Sequence, residues 1–209
     1  MSTPDDARPD GAGPDGAGPA DGGAQSGVAP VPATAADGAS RRRTYVWTLA
    51  LIAVGVVVVD LVTKQAALAR LDGGVRIEIL GDLLSLYLVR NPGAAFSLAT
   101  GMTWVFTLVA VGVVVVVARV SRRLGSLGWA IALGLLLGGA VGNLIDRLTR
   151  EPGFARGHVI DFIDYAGFFV GNVADIAIVS AAVLIAWLGI RGVAVDGSRH
   201  EDREPVADA

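Results

Sequence analysis

The sequence predicts an all-α membrane protein with four transmembrane helices and a small extracytoplasmic β-hairpin or sheet between helices 1 and 2. Three observations support this fold class. Hydrophobic residues make up 53% of the 209 residues and charged residues only 18%, a balance that is unusual for a soluble domain. Four apolar runs approach the length of about 20 residues that spans a bilayer. Short alternating segments separate the first two runs.

Each apolar run is predicted to be one span. The runs are Tyr45–Val62, Trp104–Ala118 with a backward extension through Phe96–Ala99, Leu127–Ile145 and Phe168–Ile190. A single run of this kind is compatible with a buried helix of a soluble protein, but four in one short chain favour a membrane protein. The small residues Gly138, Gly139 and Gly142 in the third run favour close packing between helices.

The loop between the first two spans carries the strand signals. Residues 75–79 alternate apolar and charged side chains, residues 84–88 alternate again, and Gly81 and Asp82 between them form a turn signal. This pattern is typical of half-buried strands joined by a turn. We therefore expect a hairpin or small sheet on the membrane surface.

The ends of the chain differ from the predicted transmembrane domain, which covers residues 44–191. Residues 1–40 are rich in Gly, Pro, Ala and Asp, and such a segment buries too little surface to offset its ordering entropy. We expect it to be a disordered cytoplasmic tail, and its late first apolar run is not typical of a secretory signal. Residues 192–209 are predicted to be a second polar cytoplasmic tail.

Arginine positions indicate the orientation in the membrane. Arg41–Arg43 precede the first span, Arg119, Arg122 and Arg123 separate spans two and three, and Arg191 and Arg199 follow span four. Four spans with both termini inside place these clusters on the cytoplasmic side, as the positive-inside rule requires. Arginines in the other loops weaken this bias.

Polar residues gather where three of the spans begin or end. Because ionisable groups inside spans are costly, they indicate a functional site by default. In an alternating topology they share one side of the membrane with the loop 91–96, and their spacings of three or four residues place each group on one helix face. The residues concerned are Asp60, Lys64, Asn143, Asp146, Arg147, Asn172 and Asp175.

The available side chains point to carboxylate chemistry. The chain has no cysteine and two histidines, which lack the spacing of a zinc protease. Ser97 and Ser180 have no neighbouring Lys or His that indicates an activated nucleophile. Two carboxylates that share a site divide their roles, one holding a proton while the other activates water. We expect no metal, no other cofactor and no nucleic-acid partner.

Several aspartates compete for these roles. Asp161 and Asp175 can meet if a strand that contains Asp161 returns over the fourth span, with a reversal near Tyr165. Asp164 is the competitor and is compatible with a solvated loop position. Structural ion pairs are the favoured interpretation for Asp146, which is adjacent to Arg147, and for Asp60, which lies four residues before Lys64. Spacing alone leaves these alternatives open.

Five motifs carry a resemblance to a known family, and this resemblance decides between the aspartates. Each motif alone is weakly specific, but five in order at matching membrane depths are highly specific. Over residues 44–191 the chain resembles the lipoprotein signal peptidases (signal peptidase II), integral-membrane aspartyl proteases of bacteria. The motifs are Asp60-Leu-Val-Thr-Lys64, Asn91-Pro-Gly-Ala-Ala-Phe96, Gly138-Gly-Ala-Val-Gly-Asn-Leu-Ile-Asp-Arg147, His158-Val-Ile-Asp-Phe162 and Asn172-Val-Ala-Asp-Ile-Ala177.

The resemblance implies a role for each matching position. Asp161 and Asp175 become the catalytic dyad. Gly171 departs from the family pattern, which has an aromatic residue before Asn172, and this departure concerns local packing. The supporting polar shell comprises Asp60, Lys64, Asn91, Gly93, Asn143, Asp146, Arg147 and Asn172.

The resemblance also implies a substrate and a place of action. The family removes signal peptides from diacylglyceryl-modified prolipoproteins and cleaves just before the lipid-bearing cysteine. The expected location is the bacterial cell membrane, with the active site facing outward. Expected partners are membrane lipids, the lipid-modified prolipoproteins and globomycin-type inhibitors, and the expected state is a monomer.

Two other classes of protein are weighed against the protease. A small proton-coupled transporter also needs buried carboxylates, but a conduction path requires polar groups at both membrane faces. Here they concentrate at one face. A structural scaffold leaves the clustered Asp and Asn residues unexplained.

Overall fold

The computed structural model describes residues 35–93 and 103–199. This part of the chain contains the helices α1 (Ala35–Leu71), α2 (Thr103–Val120), α3 (Leu127–Thr149) and α4 (Val173–Ile190), and the strands β1 (Arg76–Leu80), β2 (Leu84–Asn91), β3 (Val159–Tyr165) and β4 (Phe169–Gly171). All four helices are long and apolar enough to cross a membrane. The predicted fold class, four membrane helices with a small sheet, is therefore confirmed. The predicted extension through Phe96–Ala99 lies outside the described residues.

Helix α1 is longer than the predicted first span. Its 37 residues measure about 55 Å at 1.5 Å per residue, against about 30 Å for the hydrocarbon core of a bilayer. The apolar run ends near Val62, but residues 63–71 include Ala, Leu, Gln, Lys and Arg, which are strong helix formers. The helix therefore continues beyond the apolar run and supports the sheet.

Helix α3 occupies the centre of the bundle and packs against α1, α2 and α4. It approaches α4 closely at Gly139, where a Cβ atom would lie 2.5 Å from the carbonyl oxygen of Ala174. Only a residue without a side chain fits at that distance. The predicted packing role of the glycines in α3 agrees with this geometry.

The sheet is antiparallel with the strand order β1-β2-β3-β4. Strands β1 and β2 form the predicted hairpin between α1 and α2. Strands β3 and β4 come from the connection between α3 and α4 and were not predicted as part of this sheet. Pairing of β2 with β3 joins two connections that are distant in sequence, because Asn91 lies opposite Val159 and Val89 lies opposite Asp161.

Three boundaries differ from the sequence-based predictions. Helix α4 begins at Val173 rather than Phe168, because Phe169–Gly171 pairs with β3 and Asn172 caps the helix. Residues 35–40, predicted as tail, belong to α1, whereas residues 1–34 lie outside the described residues. Residues 192–199, also predicted as tail, fold back on the α2–α3 connection, where the backbone N–H of Gly125 donates to the carbonyl of Val195. Residues 200–209 lie outside the described residues.

Candidate active site

Asp161 lies in the middle of β3 and is only 2% exposed. Both carboxylate oxygens accept a hydrogen bond from an asparagine side chain. The Nδ2 of Asn91 donates to Oδ2 at 2.7 Å, and the Nδ2 of Asn172 donates to Oδ1 at 2.6 Å. The strand pairing that places Asn91 near Val159 explains the first bond, and the cap of α4 explains the second. Asp161 is therefore fixed by the end of β2, 70 residues earlier, and by the cap of α4, 11 residues later.

The environment of Asp161 changes its acidity. Burial raises the pKa of this carboxyl to about 7, against an ordinary value of 3.8. The hydrogen bonds from Asn91 and Asn172 oppose this shift, while the nearby negative charge of Asp175 adds to it. Desolvation dominates because the charged form loses its water shell. Asp161 therefore holds a proton for much of the time near neutral pH.

Asp175 occupies the first turn of α4. Its Oδ2 accepts from the backbone N–H of Asn172 at 3.0 Å, and the Oδ1 of Asn172 accepts from the backbone N–H of Asp175 at 3.1 Å. This reciprocal capping box is a common device at helix N-termini. The Nδ2 of Asn143 donates to the other oxygen of Asp175 at 2.9 Å. Because Asn172 also bonds to Asp161, one asparagine links the two carboxylates.

A buried cluster of charged residues around Lys64 contacts Asn143, the hydrogen-bond partner of Asp175. Lys64 is completely buried, and its Nζ lies 2.7 Å from Asp60, 2.8 Å from Asp146 and 3.0 Å from the Oδ1 of Asn143. Asp60 also accepts from the backbone N–H of Ala174 at 3.0 Å. Buried charges persist only when they are paired and hydrogen-bonded. The cluster therefore joins α1 and α3 to the start of α4.

Asp146 has partners other than the expected one. The sequence suggested an ion pair with the adjacent Arg147, but the partners of Asp146 are Lys64 and Arg150. Neighbouring residues on a helix point in different directions, whereas residues four apart share a face. The spacing of Asp146 and Arg150 carried this signal. Asp146 also accepts from the backbone N–H of Ile160 at 3.2 Å, which attaches α3 to β3.

Arg147 and Gly93 occupy the side of the site nearest α2. The guanidinium of Arg147 lies 5.1 Å from the centre of the Phe106 ring, and its Nη1 has no hydrogen-bond partner among residues 35–93 and 103–199. Gly93 adopts a φ of 102°, which favours glycine, and its N–H donates to the Oδ1 of Asn91 at 2.8 Å. This bond orients the amide of Asn91 toward Asp161. Residues 94–96 of the predicted motif lie outside the described residues.

Asp164 is buried, and the expectation of a solvated loop position was wrong. It is 1% exposed and bonds to Arg76 at 2.5 Å, to Ser85 at 3.3 Å and to the backbone N–H of Gly167 at 2.9 Å. The hydrogen bond from Arg76 is the main reason that the pKa of Asp164 lies below its ordinary value. Asp164 on β3 is therefore tied to β1 through Arg76 and to β2 through Ser85. None of these bonds connects it to the residues that surround Asp161.

Two aromatic residues of the β3–β4 hairpin complete the surroundings. The Phe169 ring occupies the space beside Gly171, where a Cβ atom would lie 2.6 Å from it and 3.0 Å from the Oδ2 of Asp175. Phe169 thus covers the position at which the family pattern has an aromatic residue. Burial, and then the charge of Asp175, raise the pKa of Tyr165. Tyr165 was predicted only as part of a turn, and its spacing from Asp175 in the sequence gives no sign that the two residues interact.

The predicted site residues therefore come together at one end of the bundle. A continuous set of hydrogen bonds and ion pairs connects all of them except Arg147, which borders the set through its stacking on Phe106. Within the described residues, no three His, Asp or Glu side chains are grouped as a metal ion requires. The arrangement instead presents two hydrogen-bonded carboxylates that can divide acid and base roles.

Comparison with known proteins assigns this architecture to a family. The family model described as signal peptidase (SPase) II matches residues 52–191. The chain belongs to the signal peptidase II family. Its members are aspartic peptidases, so the chain is a membrane enzyme of this type, as the resemblance implied.

Relatives of the same kind cover most of the chain. The lipoprotein signal peptidase of Rhodococcus jostii is 53% identical over 151 residues, which are 72% of this chain and 76% of that protein. The lipoprotein signal peptidase of Streptomyces griseus is 46% identical over 170 residues, or 81% of this chain and 87% of that protein.

A solved structure is similar to this fold. A bacterial membrane enzyme determined by the in meso method at 1.9 Å resolution matches with a TM-score of 0.61 and 30% identity. The match covers 69% of this chain and 93% of that one.

Proposed function

We propose that this enzyme removes signal peptides from diacylglyceryl-modified prolipoproteins, cleaving just before the lipid-bearing cysteine, with Asp161 and Asp175 as the catalytic dyad. The observation that carries the proposal is the asparagine bridge, in which Asn172 binds both carboxylates while burial raises the pKa of Asp161 to about 7. Two carboxylates in different environments can act as acid and base at the same pH.

The environments suggest how the roles divide. Asp175 accepts two hydrogen bonds and lies in the first turn of α4, where the helix dipole favours negative charge. It is the base that takes a proton from the attacking water. Asp161 carries the proton that it gives to the carbonyl oxygen of the scissile bond. The resulting gem-diol intermediate collapses when Asp175 gives the proton that it took from water to the leaving amine. A hydroxyl of the intermediate returns a proton to Asp161 as the new carboxyl group forms, which restores the dyad.

Activity of single variants tests the dyad. Asp161→Asn and Asp175→Asn are each expected to lower the cleavage rate by about 10²–10⁴-fold, the range for loss of a general acid or base. The assay is cleavage of a diacylglyceryl-modified prolipoprotein peptide, with mass spectrometry of the released signal peptide to identify the cut. Asp82→Asn, an exposed position on the β1–β2 turn, is the matched control and retains activity. Full activity in either dyad variant rejects the assignment.

We also infer that the sheet faces outward from the bacterial cell membrane. The end of the bundle opposite the sheet carries eight arginines, three at the start of α1, three at the α2–α3 connection and two after α4, as the positive-inside rule expects of a cytoplasmic face. They are Arg41, Arg42, Arg43, Arg119, Arg122, Arg123, Arg191 and Arg199.

Cysteine labelling tests this orientation. The chain has no native cysteine, so single cysteines at Asp82 and Ser126 report the two ends without background. An impermeant maleimide added to intact spheroplasts should label the first and spare the second. Labelling of Ser126→Cys alone would reverse the orientation.

A further inference from the structure

A pocket of about 420 Å³ lies at the end of the bundle opposite the sheet. Arg119 and Arg123 contribute its charge, and they lie four residues apart where α2 passes into the short 3₁₀ helix Ser121–Arg123. Both side chains are exposed, and neither forms an ion pair within the described part of the chain. The residues of the proposed catalytic network lie at the other end of the helices, so they do not line this pocket.

The second wall of the pocket is the folded-back segment 194–196. Hydrogen bonds hold this segment in place. The backbone N–H of Gly125 donates to the carbonyl of Val195 at 2.9 Å, and the indole N–H of Trp129 donates to the carbonyl of Val193 at 2.9 Å. The two arginines therefore face a fixed surface.

Asp196, the acidic residue that lines the pocket, forms hydrogen bonds with Ser198 two residues later. The Oδ1 of Asp196 accepts from the backbone N–H of Ser198 at 3.0 Å and from its hydroxyl at 2.7 Å. One carboxylate offset by two guanidinium groups leaves the pocket with an excess of positive charge. An anion with several acceptor oxygens matches two guanidinium groups, and phosphate has this geometry.

The surroundings indicate an anion with an apolar body. Val115 and Val116 are 58% and 59% exposed on α2 below the pocket, and Leu127 is 52% exposed at the start of α3. These side chains belong to helices that are apolar enough to span a membrane. The pocket therefore lies where phosphate headgroups meet the hydrocarbon core.

A second pocket at the same end has a similar composition. It measures about 590 Å³ and is lined by Arg191, Arg199 and Trp187. The guanidinium of Arg191 lies 5.3 Å from the centre of the Trp187 ring, and tryptophan is enriched at the headgroup level of membranes.

We propose that the pocket of Arg119 and Arg123 binds the phosphate headgroup of an anionic phospholipid in the adjoining leaflet. The acyl chains lie along the exposed valines of α2. The lipid attaches the α2–α3 connection and the segment 194–196 to one molecule and fixes the depth of the bundle in the bilayer. This binding is independent of the peptidase reaction at the opposite end.

Native mass spectrometry of the full chain in detergent tests the proposal. The protein is titrated separately with dioleoyl-phosphatidylglycerol and with dioleoyl-phosphatidylcholine. The wild type should bind the anionic lipid at least about tenfold more tightly, since each arginine near the headgroup contributes to the attraction. The double variant Arg119→Gln/Arg123→Gln should lose about tenfold in affinity for phosphatidylglycerol alone. The charge-preserving Arg119→Lys/Arg123→Lys should retain most of the binding.

The matched control is Arg70→Gln/Arg156→Gln, which removes the same charge from exposed positions at the sheet end and should bind as the wild type does. Equal binding of the two lipids by the wild type overturns the proposal, and this comparison needs no variant. Unchanged binding in the glutamine double variant, or an equal loss in the control, also overturns it. Displacement of the lipid by inorganic phosphate at similar concentration would identify a small-anion site instead.

Discussion

On the proposed dyad assignment, replacing Asp161 with asparagine is expected to lower activity by about 10²–10⁴-fold while stabilising the folded protein at alkaline pH. In the folded enzyme burial raises the pKa of Asp161 from 3.8 to about 7. Each pKa unit corresponds to 1.36 kcal/mol, so keeping this carboxylate charged in the folded state costs on the order of 4 kcal/mol. Asparagine has a similar shape and never becomes charged, so it avoids this cost. Its NH2 group faces the Nδ2 donor of Asn91 or Asn172, which offsets part of the gain.

The sign of the effect follows from the direction of the pKa shift. A raised pKa in the folded state means that protonation favours folding. The stabilising contribution of the protonated form is fully present below pH 3.8 and is lost as the pH rises through 7. Asp161→Asn should therefore be no more stable than the wild type near pH 4 and exceed it by up to about 4 kcal/mol above pH 8. At about 2–4 °C per kcal/mol, a gain of that size would raise the Tm by about 8–16 °C.

Thermal unfolding in detergent, followed by tryptophan fluorescence between pH 4 and pH 9, measures this difference. The exposed Asp82→Asn removes the same charge and should shift the Tm by little at any pH. A variant that is no more stable than the wild type at pH 8.5 would refute the role of burial. A gain that is constant across the pH range would refute the link to titration.

Three further substitutions probe the supporting structure. Lys64→Met leaves two buried carboxylates without their shared cation and should lower the unfolding free energy by about 3–5 kcal/mol, measured by thermal unfolding. Asp164→Asn weakens the bond to Arg76, so it should lower the Tm at neutral pH, and the difference should vanish as acid protonates the wild-type carboxylate, whose pKa is low. Gly139→Ala places a methyl group against the carbonyl of Ala174 and should cost about 1–3 kcal/mol in denaturant unfolding.

Each of these substitutions has a control in the same chain. Gln65→Met changes an exposed position beside Lys64 and should be nearly neutral. For Asp164 the low-pH measurement is the internal control, and a Tm difference that persists in acid contradicts an ionic contribution. Gly112→Ala lies on α2 with open space around it, and equal costs at positions 112 and 139 would exclude a packing effect.

The helices could be predicted from sequence because length and apolarity determine membrane spans. Their ends could not be predicted as well. Phe168 and Phe169 are as apolar as the helix that follows, so composition did not separate a strand from a span. The signal lay in Asn172, whose side chain caps α4 and marks its first turn. Likewise, helix-forming residues extended α1 beyond the point at which its apolar run ends.

The partners of the site residues were harder to predict than their grouping. Topology placed Asp60, Asn143 and Asp175 at the same depth, and the structure brings their side chains into one network. Which side chains pair within the network depends on contacts between helices and strands that are distant in sequence, and adjacent residues do not reveal these contacts. Asp146 binds Lys64 from another helix rather than Arg147 beside it, and Asp164 became buried because β3 joined a sheet that spacing did not predict.

The position of Asn172 and Asp175 at the start of the last helix also determines when the site can be completed during synthesis. Asn91 and Asp161 are 70 positions apart, and Asp60 binds the backbone of a residue 114 positions later. A chain emerging from the ribosome contains Asn91 before Asp161, but the second partner, Asn172, follows Asp161 and arrives only with the start of α4. Domains fold as their segments become available. On the proposed dyad assignment, cleavage should therefore begin only after the last helix has been made, and a chain that ends before α4 should be inactive.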